Sequence, residues 1–215
     1  MKTIPANDWT LRERAVAFAL AATSIWCLLV ELYGWFSMRA FALCVFGPAT
    51  ALLLILAIRR RWRGALIGAV AGLVAAVAYD VFRLPFVYSK AWGLTGLVPA
   101  LPLFKVFPMF GAMLLGTSST TPAAHVIGWI YHFSNGLTFG VMFAAMVGSD
   151  FRGRWWWAIL FAVGLELAML FTPYSQAFGI KVGAAFVAVT LMAHLIFGVV
   201  MGRSSIWLAA QTRSS

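Results

Sequence analysis

The stretch Arg83–Gly116, RLPFVYSKAWGLTGLVPALPLFKVFPMFGAMLLG, decides how this chain is folded. It is apolar enough for a membrane-spanning helix, yet it contains Pro85, Pro99, Pro102 and Pro108 together with Lys90 and Lys105. Proline removes a helical N–H and clashes with the preceding turn, and a lysine deep in hydrocarbon is costly. Counted as a span, the segment gives seven crossings. Left out, it gives six.

The rest of the chain supplies the means to choose. Of 215 residues, 63% are hydrophobic and only 10% are charged, and the mean hydropathy is +0.92. A soluble domain is closer to half apolar and a quarter charged. These figures exclude a secreted disulfide scaffold, an ordinary cytosolic enzyme and a disordered tail. Segments of roughly membrane-crossing length read as helices at 15–36, 40–58, 64–82, 123–148, 155–172 and 180–202.

Charge then arbitrates. With six spans and the N-terminus inside, eleven of sixteen Lys and Arg lie inside: Lys2, Arg12, Arg14, Arg59, Arg60, Arg61, Arg63, Arg152, Arg154, Arg203 and Arg213. Five lie outside: Arg39, Arg83, Lys90, Lys105 and Lys181. With seven spans the division becomes eight inside and seven outside, with Lys105 in hydrocarbon. The positive-inside rule favours six. Aromatics agree, because Trp9, Trp62, Trp155–Trp157 and Trp207 fall at the inner interface and all five tyrosines fall toward the outer side.

The expected fold is therefore all-α, a polytopic membrane helix bundle of six transmembrane helices. A proline-rich re-entrant or interfacial segment, 83–116, joins the third helix to the fourth on the outer side. Residues 1–14 form a cytoplasmic N-terminal segment, 15–202 the single transmembrane domain and 203–215 a cytoplasmic tail. The expected location is the bacterial inner membrane. The formal charge of +10 reads as juxtamembrane orientation and contact with anionic lipid, not as nucleic-acid binding, since no module could reach a phosphate backbone. Cys27 and Cys44 lie inside apolar segments without a CxxC and read as packing residues.

Small residues four apart, at Gly64/Gly68/Gly72, Gly136/Gly140, Gly179/Gly183 and Gly198/Gly202, let helix backbones approach closely. They serve packing within the chain, or homo- or hetero-oligomer contacts through these faces.

Polar groups inside the spans gather on the outer side. By the ~1.5 Å rise per residue, Glu31 and Glu166 lie ~8–9 Å deep and His132 ~13 Å deep, while Asp80 and Arg83 mark the outer end of the third helix. His194 falls in the inner half, ~21 Å from the outer surface by the same rise. Ionisable groups in hydrocarbon face the bundle interior, pair with one another or mark a functional path. His132 and Glu166 lack a local partner of opposite charge, so they are expected to converge, with Asp80 or Glu31 nearby. Asp80 and Arg83 at i, i+3 read as a local ion pair. The proline-rich segment should cover the cluster, and Lys105 should be its approach to a carboxylate.

His132, Glu166 and Asp80 are the candidate catalytic residues. The donors His132, Glu166, His194 and Glu31 form a hypothetical metal set, a transition metal being the cofactor class such ligands suggest. No HxxxH, HExxH or ExxH supplies two ligands from one helical turn. These groups fit a metal-assisted enzyme acting on a lipid or other apolar small molecule. They also fit a small proton- or ion-coupled transporter, or a non-catalytic subunit or assembly factor of a membrane complex.

Overall fold

The computed structural model describes residues 9–148 and 150–214, with side chains through residue 212. Lys2 and the side chain of Arg213 lie outside this set. Every regular element among the described residues is helical. The long elements are α1 (Leu11–Leu32), α2 (Met38–Arg59), α3 (Arg63–Val87), α4 (Val106–Leu115), α5 (Pro122–Val147), α6 (Trp157–Leu170) and α7 (Ala184–Ser214). Five of them, α1, α2, α3, α5 and α7, are long and apolar enough to cross a membrane, and α4 and α6 are shorter apolar helices. The protein is an integral membrane helix bundle.

Local chemistry sets the boundaries. Thr10 and Glu13 close a reciprocal capping box at the start of α1. Ser37 caps α2, and the Glu31 carboxylate accepts the Met38 N–H. Within α2 the helix widens to a π turn at Ala42–Phe46, just before Pro48, whose missing N–H leaves the Cys44 carbonyl without its usual partner. Thr121 caps α5 ahead of Pro122, a proline position that suits a first helical turn.

Three boundaries differ from the sequence expectation. The third helix runs through Pro85 to Val87 instead of stopping at Phe82, and its hydrogen bonding resumes beyond the proline at Tyr88 N–H to Leu84. The fifth segment is helical over only 14 residues, about 21 Å at 1.5 Å per residue against a ~30 Å hydrocarbon core. It is cut short by turns at Trp155–Trp156 and before Pro173. The last helix begins at Ala184, because residues 180–183 are not helical.

The two ends of the bundle differ in charge. At one end Trp9 packs on Trp62 with ring centroids 5.7 Å apart, and Trp62 donates its indole N–H to Glu13. Arg14 there donates to the Ala145 and Met146 carbonyls, satisfying the last turn of α5. Arg203 lies 4.2 Å over Trp155 at the same end. At the opposite end Arg39 approaches Gly116 and Lys105 reaches the Phe178 carbonyl at 3.4 Å. The basic segments at Arg12–Arg14, Arg59–Arg63, Arg152–Arg154 and Arg203 thus share one end, and the proline-rich segment occupies the other. Although short, α6 runs between the two ends antiparallel to α7.

Helix α5 is the hub, packed against α1, α3, α4 and α6, while α7 packs on α3 and α6. Glycines make this possible. A Cβ at Gly72 would collide with the Gly136 carbonyl oxygen, and one at Gly140 with that of Gly68. Gly111 on α4 lies against Ala124, and Gly128 on α5 against the Phe107 carbonyl. Gly198 and Gly202 touch the backbone of Ile159 and Trp155. These glycines are occupied by contacts within the chain, whereas Gly179 and Gly183 lie outside any helix and make no such close approach. Gly116 closes α4 in the left-handed conformation (φ 69°), which suits a residue without a Cβ.

A Gly72→Leu substitution is expected to destabilise the detergent-solubilised protein by at least the ~1–3 kcal/mol typical of overpacking, because the obstructing atoms are backbone. Gly164→Leu meets nothing within 4 Å and should leave the thermal midpoint unchanged. Thermal unfolding of both variants checks the contrast.

Candidate functional site

Five helices and the proline-rich segment enclose a cavity of about 240 Å3. One part of its wall is polar: Tyr79 and Arg83 from α3, His132 and Asn135 from α5, Glu166 from α6, and Thr190 and His194 from α7. Most of the remainder is apolar, with α1 contributing Ile25, Leu28, Leu29 and Leu32 beside Ser24.

Two histidine–carboxylate pairs stand at the polar wall. On α3 and α5, Asp80 Oδ2 lies 2.8 Å from His132 Nε2, and Asp80 Oδ1 lies 3.2 Å from Arg83 Nη1. A carboxylate only accepts, so His132 Nε2 carries the donating proton and, in the neutral ring, Nδ1 is the acceptor. On α6 and α7, His194 Nδ1 is 2.9 Å from the Thr190 carbonyl and 3.3 Å from Glu166 Oε2. The carbonyl fixes Nδ1 as a donor, so the neutral His194 ring offers Nε2 as its acceptor. Asp80 orients the His132 ring, and the Thr190 carbonyl, with Glu166 beside it, orients the His194 ring, the arrangement that prepares histidine for general acid–base work.

Tyr79 stands between the pairs. Its ring is 5.0 Å from that of His194, edge to face, and 6.1 Å from that of His132. Arg83, only 4% exposed, sits 4.6 Å over Tyr79 and donates to the Leu103 carbonyl. It thereby ties α3 to the proline-rich segment. Phe107 of α4 stacks on His132 at 4.3 Å. With Pro102, Leu103, Val106 and Phe110 it forms the cover of the cavity. Two buried polar atoms at this wall, Arg83 Nε and Asn135 Oδ1, find no hydrogen-bond partner among the described residues.

The sequence expectation is met in part and corrected in part. His132, Glu166 and Asp80 do gather, but His132 pairs with Asp80 and Glu166 pairs with His194. The Asp80–Arg83 pair is not merely local, since Asp80 divides its two oxygens between Arg83 and His132. His194 is not in a separate half of the bundle: because α7 starts at Ala184, it lies ten residues into its helix, as His132 does in α5, about 15 Å along the axis. Glu31 belongs elsewhere, spending its carboxylate on the start of α2. Lys105 reaches a backbone carbonyl instead of a carboxylate.

The hypothetical metal set His132, Glu166, His194 and Glu31 is accordingly not assembled. Among the described residues no three His, Cys, Asp or Glu side chains group as a metal shell would require. Of this set only Glu166 and His194 meet; His132 is taken up by Asp80 and Glu31 by the start of α2. His125 is exposed on α5 and lines a shallow surface groove instead of the cavity. Tyr79 and Arg83 were the residues not singled out for the site. Their i, i+4 spacing puts them on one helical face, the signal that could have joined them to it.

Asp80→Ala is expected to cost about 3–5 kcal/mol, the usual effect of stranding one partner of a buried pair, because Arg83 would be left in an apolar wall. The double variant Asp80→Ala/Arg83→Met should recover much of that loss. Chemical unfolding of the single and double variants in detergent measures both.

In comparison with known proteins, no family model, no curated protein and no solved structure matches the chain.

Proposed function

We propose that this membrane protein binds an amphiphilic or apolar small molecule taken from the lipid and acts on its polar end by acid–base chemistry. The observation that supports it is the joining of two histidine–carboxylate pairs, drawn from four different helices, to a single cavity whose other walls are mostly apolar. Ligand sites are commonly apolar hollows with a few convergent polar groups. A volume of about 240 Å3 exceeds the ~150 Å3 cavity that holds a benzene ring and falls below the ~300 Å3 of the smaller drug-sized sites. It suits a polar head with a ring or short chain, with the rest of a longer molecule extending past α1.

In this reading His132 and His194 exchange protons with the bound molecule, Asp80 and the Thr190 carbonyl hold their tautomers, and Phe107 and Leu103 keep water away. Placing the basic end at the cytoplasmic face, as the positive-inside rule directs, turns the covered cavity toward the opposite leaflet. Both termini are then cytoplasmic. The same exchange of protons supports a second reading, a proton-coupled transporter, for which Tyr79 between the two imidazoles is the specific observation.

Met169 lines the cavity from α6, and Met169→Trp would fill part of it. Mass spectrometry of solvent extracts from the purified protein should find an amphiphile at near-stoichiometric amount in the wild type. The Met169→Trp protein, with an unchanged helical circular-dichroism spectrum, should have lost it. Equal recovery from both proteins would contradict the proposal.

A further inference from the structure

The cavity's charges name the kind of head it receives. Arg83 is neutralised by Asp80 at 3.2 Å. His132 donates its Nε2–H to that same carboxylate. The carboxylate left over is Glu166, 2% exposed. Among the described residues its ion-pair contact is His194 alone, and His194 Nδ1 lies closer to the Thr190 carbonyl. A buried carboxylate with no fixed cation needs one positive equivalent, either a proton held on the Glu166–His194 pair or a charge brought in from outside.

The groups facing Glu166 across the site are few. Among the described residues, helix α3 presents Tyr79 and Arg83, α5 presents Tyr131 and His132, α7 presents His194, and Tyr174 follows α6, while α1 and α4 add no charged side chain to the wall. Asp80 reaches the site only through Arg83 and His132. An anionic head would bring a second unbalanced negative charge into this apolar surround. A cationic head would balance the first. The walls also suit a cation, since the rings of Tyr79, Phe107, Phe110, Phe139, Phe186 and Phe197 line the same space, and aromatic faces attract ammonium groups.

We infer that the occupant of this cavity is an organic cation, an amine or quaternary ammonium group on an apolar body, seated between Glu166 and the aromatic wall and exchanged for one proton. The proton leaves the Glu166–His194 pair for bulk water as the cation enters, so the charge of the site is the same before and after. This rests on the reading of the cavity as a small-molecule site and adds the chemical class of the molecule.

The test is calorimetric titration of the full chain in detergent with benzyltrimethylammonium, its neutral isostere neopentylbenzene and the anion benzenesulfonate. The cation should bind at least about tenfold more tightly than the neutral isostere, the size of effect that one desolvated cation–π contact supplies. Repeating the titration in two buffers of different ionisation enthalpy should show close to one proton released per cation bound. Glu166→Gln should abolish that release and weaken the cation about tenfold or more, without weakening the neutral isostere. Because the release is read on the wild type, the inference does not depend on that variant folding.

Equal binding of cation and isostere with no proton released would overturn the cation assignment and leave the small-molecule site standing. Tighter binding of the sulfonate would do the same. Failure of all three probes to bind would overturn both.

Discussion

The contact on which the rest of the structure depends is the backbone approach of α3 to α5. Gly68 and Gly72 lie against Gly140 and Gly136, where any larger residue would force the helices apart. Lipid offers no hydrophobic drive for helix association, so dispersion contacts of this kind must hold the pair. The approach also sets the register. Asp80, about two turns beyond Gly72, and His132, about one turn from Gly136, come within hydrogen-bond distance only because the antiparallel helices meet where they do. Further contacts carry the same logic outward: Gly111 and Gly128 bring α4 onto α5, and Gly198 and Gly202 bring α6 onto α7.

Charge is then distributed by the cost of burying it. Arg83 serves three partners at once: Asp80 beside it, the Leu103 carbonyl above it and the Tyr79 ring beneath. A guanidinium has enough donors for this and keeps its charge. The result is a clamp that holds the proline-rich segment over the cavity. The prolines themselves favour that arrangement, because a segment without continuous helical bonding must find partners for its free carbonyls when it lies at membrane depth. Leu103 finds Arg83, and Leu101 N–H finds the Phe86 carbonyl.

The second histidine pair is held differently, and that difference shapes the site. Among the described residues no arginine or lysine forms an ion pair with Glu166 as Arg83 does with Asp80. Two similar-looking pairs therefore face one cavity with unequal charge balance. One is an internally compensated triad, and the other, among the described residues, pairs its carboxylate only with an imidazole. The aromatic side chains between them, Tyr79 above all, let both pairs stand at one cavity without joining directly.

The sequence by itself determined the class of the fold and the division of the chain between its two ends. Hydropathy depends on composition over a span, and the basic clusters at Arg12–Arg14, Arg59–Arg63 and Arg152–Arg154 depend on position alone, so both are legible without a partner helix. It also determined which polar residues were too costly to leave in lipid, which is why His132, Glu166 and Asp80 stood out. Only the tertiary structure decided how they pair. Helix rotation and register are set by close contacts such as Gly72 on Gly136, and a helical start shifted from Ile180 to Ala184 was enough to bring His194 level with Glu166. Depth counted along one helix could not foresee that shift. The role of Glu31 was hidden for the same reason, since its partner is the Met38 N–H at the start of the next helix, a backbone group that no side-chain pattern marks.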